Sequence, residues 1–433
     1  MPRIRLSRFL PAVLLLAAVF VAFRQSTFGA PIRHSPTPTD DEVQYDVQND
    51  DVTAQSVFST ESESEEAQYT RRIVAVGDLH GDYPNALRVL QMSDVVDEEG
   101  NWSGKVDLFV QTGDIIDRGL DTIKLFLWME RLRSQARAAG GDVVSHLGNH
   151  EWMNLLADWR YVEAKEIATF GSVAARQKML QTGRIGRAWA ANYSITSRVA
   201  LYPPLGPDSP FPSSASYDPS LGHSSIDFVS NRDFGEEQLD DPLGTAYLSF
   251  VHGGLSPSYA HLSPYPSAIN DLGATLLRRL QTRPFPPPHP PHPYAGLPHD
   301  ASEEEKSLYV EEGPLWYRGW ALQPEHVVCP EVGEVLRTTG VRRLIMGHTP
   351  NFTAITSRCN GKVIIIDTGI SHAYGGVLSA LSVQYTLTPP STAVDSNPGS
   401  GRSRQWRERE IVTAIYPERQ EVLVVEERIV LGS

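Results

Sequence analysis

The stretch Arg72-Ile73-Val74-Ala75-Val76-Gly77-Asp78-Leu79-His80-Gly81 is a short apolar, β-branched run that halts at a glycine, followed at once by two side chains able to bind a metal. A strand ending in Gly-Asp puts a small residue at the turn and aims an oxygen ligand off the carboxyl edge of a sheet. The same grammar returns twice. Val106 to Val110 leads into Gly113-Asp114-Ile115-Ile116-Asp117-Arg118-Gly119, and Val143-Val144 leads into Gly148-Asn149-His150-Glu151. Helical patterns from Tyr83 to Met92 and from Asp121 to Ala138 separate the runs, so the order is strand, ligand loop, helix, repeated. That order predicts an α/β fold with its ligand loops gathered on one sheet edge.

Two more fragments complete the set: His252-Gly253-Gly254, after the apolar run Tyr247 to Val251, and Gly347-His348-Thr349. Singly, each is an ordinary turn with a polar cap or a core histidine. Five in series are a ligand set. Imidazole, carboxylate and carboxamide oxygen suit borderline divalent ions such as manganese, iron and zinc; a structural zinc would favour thiolates and calcium an all-oxygen cage. Neither cysteine falls in any fragment.

In kind and in order, the five fragments resemble those of the phosphoprotein phosphatase superfamily, within the wider calcineurin-like metallophosphoesterases. The resemblance implies a four-layer α/β/β/α sandwich of two mixed sheets flanked by helices, and two divalent metal ions as cofactors. Carried over residue by residue, Asp78 and His80 hold one metal, Asn149, His252 and His348 the other, and Asp114 bridges them. Two ions roughly 3.5 to 4 Å apart activate a bridging water for in-line attack on phosphorus. His150, held by Asp117, protonates the departing alcohol. Arg118, and Arg318 in Trp316-Tyr317-Arg318-Gly319, grip the nonbridging phosphate oxygens through the planar guanidinium fork.

Glu151 and the Trp316 to Gly319 segment are similar to protein phosphatases, whereas Gly347-His348-Thr349-Pro350 is similar to bacterial-type branches. The combination resembles the Shewanella-like protein phosphatases, from about Arg72 to about Gly376. Their toxin-sensitive eukaryotic relatives carry a Ser-Ala-Pro-Asn-Tyr loop, and here Asp367-Thr368-Gly369-Ile370-Ser371 stands near its place. Neither toxin sensitivity nor a tyrosine role is carried over from that loop. The substrate expected is a phosphoprotein, Ser/Thr first and Tyr second. The alternatives are a dinucleotide polyphosphate or other small phosphoester and, less favoured, a catalytically weak phospho-binding module.

The chain has 433 residues, but the ligand fragments belong to one unit, so a single catalytic domain over 71–433 is expected. Of the formal charge of −14, ten acids unaccompanied by any base lie between Ser35 and Thr70. That stretch reads as an unfolded acidic linker. With no basic patch, nucleic-acid binding is excluded as an expectation. Arg3, Arg5 and Arg8 precede Phe9 to Phe23, fifteen residues without a charge, so residues 1–34 read as a signal peptide or signal anchor. Secretion, or membrane anchoring through 9–23 with a lumenal catalytic domain, follows; a mitochondrial presequence is the alternative.

Cys329 and Cys359 are read either as a disulfide in an oxidising compartment or as two separate buried thiols. Pro-rich stretches near 203–242 and 283–302 read as surface insertions beside the site. His289, His292 and His299 fall in or beside the second, which is read as a surface loop in preference to an auxiliary metal cluster. A helical subdomain is expected over Tyr161 to Thr182, and a terminal hairpin near 411–430.

Overall fold

The computed structural model describes residues 68–202, 246–388 and 404–432. The expected leader at 1–34, residues 35–67 of the acidic stretch, the insertion at 203–242 and residues 389–403 lie outside the described residues, and β1 begins at Tyr69, inside the stretch read as acidic linker to residue 70. In chain order the first half holds β1 (Tyr69–Val76), α1 (Tyr83–Met92), β2 (Leu108–Gln111), α2 (Thr122–Ala138), β3 (Asp142–His146) and α3 (Asn149–Leu155). The short helices α4 (Ala164–Phe170), α5 (Val173–Gln181) and α6 (Arg184–Asn192) follow, then β4 (Tyr193–Ser194) and β5 (Thr196–Ala200). Beyond the first insertion come β6 (Tyr247–Val251), α7 (Ser267–Thr282), α8 (Glu303–Ser307), α9 (Gly319–Leu322), α10 (Glu325–Thr339) and β7 (Arg343–Met346). The chain closes with β8 (Thr356–Arg358), β9 (Val363–Ile365), β10 (Ala380–Thr388), β11 (Arg404–Tyr416) and β12 (Arg419–Gly432).

Two mixed sheets result, with strand orders β12-β11-β10-β1-β2-β3-β4 and β5-β6-β7-β9-β8. Alternation along β1 explains the layering. Ile73 and Ala75 join Leu108, Val110, Leu248, Phe250, Ile345 and Ile364 between the sheets, whereas Val74 and Val76 turn outward onto α1 and α2. On the other outer face, Leu344 and Met346 of β7 belong to the same apolar cluster as Val328, Val332 and Val335 of α10. Helix, sheet, sheet, helix is therefore the order of layers, as expected. β1, β2 and β3 run parallel, as do β6, β7 and β9, so their carboxyl ends deliver ligand loops to one edge.

The hairpin is longer than expected. β11 starts at Arg404, ahead of the expected 411, and its buried acids are paired inside the protein. Glu408 and Glu410 are buried, and Arg342 Nη1 reaches Glu408 at 2.7 Å while Arg343 Nε reaches Glu410 at 2.9 Å. An apolar alternation count misses a strand whose inward positions are ion pairs. The expected helical subdomain is two short helices, α4 and α5, broken at Gly171 with φ +91°.

The second Pro-rich insertion straps this subdomain. His289 exchanges backbone hydrogen bonds with the Ala157–Trp159 segment at 2.6 and 2.8 Å, and Gln177 Nε2 donates to Pro286 O. Its three histidines form no ligand group among the described residues; His289 Nδ1 pairs with the His292 carbonyl. Cys329 and Cys359 form a disulfide, which joins α10 to the turn after β8. Among the described residues, no helix is long and apolar enough to cross a membrane.

Candidate metal centre

Each ligand loop leaves its strand through a sharp turn whose backbone few residue types tolerate. Nine non-glycine residues have positive φ among the described residues, and five of them are His80, Asp114, Asp117, Arg118 and His348. Strain of this kind persists only where the surroundings over-determine it. Gly148 shows why the turns need glycine: a Cβ there would collide with the Asp114 carboxylate. At Gly113, φ +103°, a Cβ would stand 2.6 Å from the Gly148 nitrogen.

Glu151 ties two of these loops together. Its carboxylate accepts from Gly148 N at 2.7 Å, Asp114 N at 2.9 Å, Ile115 N at 2.9 Å and Ile116 N at 3.3 Å. Burial, with the Asp114 charge beside it, pushes this acid up to about 8, against the pull of its backbone donors.

Asp114 stands at the centre. Its Oδ1 accepts from His150 N at 2.9 Å, and its Oδ2 lies 3.3 Å from His252 Nε2, 3.7 Å from His80 Nε2 and 3.8 Å from His150 Nε2. Asp78 sits on the flank, with Oδ2 3.8 Å from His80 Nε2 and Oδ1 accepting from His348 N at 3.1 Å. Asn149 Oδ1 is 2.8 Å from His252 Nε2, which is 3.1 Å from His348 Nδ1. All six expected ligands are buried and converge.

The donor set itself tests whether a cation fits. His252 Nδ1 donates to Thr112 O and His80 Nδ1 to Ile116 O, each at 3.0 Å, which leaves both Nε2 atoms as lone-pair acceptors turned inward. The Asn149 amide oxygen, His252 Nε2 and the Asp114 carboxylate thus present lone pairs to one another at hydrogen-bond range or just beyond, and His348 Nε2, also buried, has no hydrogen-bond partner. Buried acceptors facing acceptors are costly unless a positive ion lies among them. Two clusters sharing Asp114 satisfy ligand proximity, one with His80 and His150 and one with His252 and His348. The residues fit a pair of divalent ions.

His150 Nδ1 lies 2.8 Å from Asp117 Oδ2, so the expected acid and its carboxylate partner are in contact. Burial disfavours the imidazolium, but the Asp114 and Asp117 carboxylates outweigh it and hold the His150 pKa above its ordinary value. The two arginines differ. Arg118 lies over the ring of Tyr161 at 4.4 Å and over that of Tyr374 at 4.6 Å, and its Nε has no hydrogen-bond partner. Arg318 commits Nη1 to the His348 carbonyl at 2.7 Å and to Thr349 Oγ1 at 3.1 Å, which braces the last ligand loop.

Sequence reading missed the aromatic wall. Tyr374 follows Asp367-Thr368-Gly369-Ile370-Ser371 closely, packs 5.3 Å from the His80 ring, and stands where no tyrosine role was carried over. Tyr161 stacks 5.0 Å from His150, Phe352 6.0 Å from Tyr374, and Trp316 5.6 Å from His348. His372, given no role from the sequence, pairs with Asp82, the cap of α1, and so latches the Tyr374 loop to that helix.

Two sheets whose parallel strands feed a buried His/Asp/Asn cluster define the class as a metal-dependent phosphoesterase. Residues 71–352 match the calcineurin-like phosphoesterase family, and the chain belongs to it. An uncharacterised protein of Schizosaccharomyces pombe is 33% identical over 74% of this chain and 80% of its own length. Shewanella-like protein phosphatase 2 of Arabidopsis thaliana is 27% identical over 69% of this chain and 71% of its own. Among solved structures, the cold-active protein-tyrosine phosphatase of a psychrophilic Shewanella species shares the fold. It superposes with a TM-score of 0.53 at 22% identity over 82% of this chain and 80% of its own.

Proposed function

We propose that this metallophosphatase removes phosphate from protein side chains, with Asp78, His80, Asp114, Asn149, His252 and His348 as the ligands of two ions. The observation that carries the reading is the position of Asp114 amid three imidazoles, with the His150–Asp117 pair and Arg118 alongside. Bound there, two divalent ions supply Lewis acidity and make water nucleophilic at neutral pH; manganese, iron and zinc all suit the donors.

The chain's own residues do the rest. Arg118, packed against two tyrosines, presents its fork to the nonbridging oxygens. His150 delivers its Nε2 proton to the leaving oxygen, while Asp117 fixes the ring through Nδ1. A module that only binds phosphate has no need of a proton donor. Arg118→Ala should lower kcat/KM by about 10²- to 10³-fold, read on any phosphomonoester.

The wall of Tyr161, Tyr374, Phe352 and Trp316 favours an aryl ester, which moves phosphotyrosine ahead of the Ser/Thr substrate expected first from sequence. Rates on phosphotyrosine peptide, phosphoserine peptide and a dinucleotide polyphosphate test this order. The prediction is phosphotyrosine fastest; a preference for the dinucleotide removes the protein-phosphatase reading. The secretory assignment is also ours, supported by the Arg-flanked apolar block and by the Cys329–Cys359 disulfide. Endoglycosidase should shift protein from its own cells through the sequons at Asn101 or Asn192, and an unshifted cytosolic pool contradicts it.

A further inference from the structure

Arg176 lies on α5, outside all five ligand fragments in sequence, and is completely buried. A buried guanidinium carries a large desolvation cost, and an apolar plug of similar volume is often the more stable filling. Here every arm is committed. Nε donates to Glu166 Oε2 at 2.9 Å, Nη1 to Asn154 Oδ1 at 2.5 Å, and Nη2 to Asp117 Oδ1 at 3.4 Å. Trp159 stacks on its face at 4.5 Å.

Asn154 closes the circuit. One turn after His150 on α3, its Nδ2 donates both to Asp117 Oδ1 and to the His150 carbonyl, each at 2.9 Å. The two Asp117 oxygens are thereby divided: Oδ1 takes Arg176 and Asn154, and Oδ2 is left to His150 Nδ1. A carboxylate anchored at one oxygen cannot swing away from the imidazole it orients. Asp117 needs such an anchor, since its backbone sits at φ +71°.

We infer that Arg176 is a positioning residue for proton delivery to the leaving group, acting on His150 through Asp117 and assisted by Asn154. The inference rests on the reading of His150 as the acid. As the phosphorus–oxygen bond breaks, its electron pair goes to the leaving oxygen, which takes the Nε2 proton, and His150 becomes neutral. A residue that serves this step matters most when the leaving group is a poor one. Among the described residues, no hydrogen bond or ion pair joins Arg176 to the six candidate ligands or to Arg118.

The test compares full-length wild type, Arg176→Met, Arg176→Lys, His150→Asn and the double variant His150→Asn/Arg176→Met on 2,4-dinitrophenyl, 4-nitrophenyl and phenyl phosphate. Metal content and melting temperature are measured in parallel. Arg176→Met should lose on the order of 10- to 100-fold in kcat on phenyl phosphate, part of what a general acid contributes, yet little on the dinitrophenyl ester, with KM steady. Arg176→Lys should recover most of the loss. The double variant should be no slower than His150→Asn alone, and a crystal structure of Arg176→Met should show the His150 ring turned away from Asp117. Equal losses on all three esters, a further loss on top of His150→Asn, or an unmoved ring overturns the inference. If His150→Asn itself slows all three esters equally, the acid assignment fails first and this inference falls with it. Should Arg176→Met not fold, Glu166→Gln/Arg176→Met removes one charge of each sign and is held to the same outcomes.

Discussion

Glu151 is the residue on which the ligand geometry depends without touching the reaction. Four backbone N–H groups from two loops converge on its carboxylate, and glutamine offers only one acceptor oxygen in the same shape. Glu151→Gln should cost about 1–3 kcal/mol of stability and weaken metal binding by about 10- to 100-fold, read by thermal melts and metal titration. Unchanged metal affinity would show that the loops hold their shape without it. The convergence of the six candidate ligands was legible because each sits beside a glycine at a strand end, where local spacing determines the turn. Tyr161, Tyr374 and Arg176 were not, because tertiary packing alone brings them to the centre. Asn154 carried a weak signal, four residues after His150 and so on the same helix face.

At the scale of elements, the long hairpin shows how ion pairs replace apolar alternation. Burial would raise the Glu410 carboxyl, but the Arg343 and Arg342 guanidiniums win and hold it below its ordinary 4.5. The unfolded chain therefore takes up this proton more readily than the folded one. The pair's stabilisation is present above pH 4.5 and lost as pH falls through the lower, folded value. Glu410→Gln should melt earlier at neutral pH and show a flatter melting curve below about pH 4.5; equal acid sensitivity in both proteins would contradict the pairing. The β1 to β3 grammar was readable because parallel strands buried on both faces are near-continuous apolar runs. The start of β11 was not, since Glu408 and Glu410 look like solvent-facing residues until Arg342 and Arg343 are brought against them.

Across the whole molecule, the cross-link from α10 to the turn after β8 braces the segment that carries His348. Its loop spans 30 residues, and by loop-closure entropy Cys329→Ser/Cys359→Ser should lose about 3 to 4 kcal/mol in denaturant melts. A loss near zero would mean that the α10 packing already fixes this segment. The central claim is that residues from Asp78 to His348 enclose two ions that share Asp114. Metal analysis of purified wild type and Asp114→Asn, each assayed on phosphotyrosine peptide, tests it most directly. The account predicts two ions per wild-type chain, with at least one lost and turnover nearly abolished in the variant. A single ion in wild type, or undiminished turnover by Asp114→Asn, would contradict it.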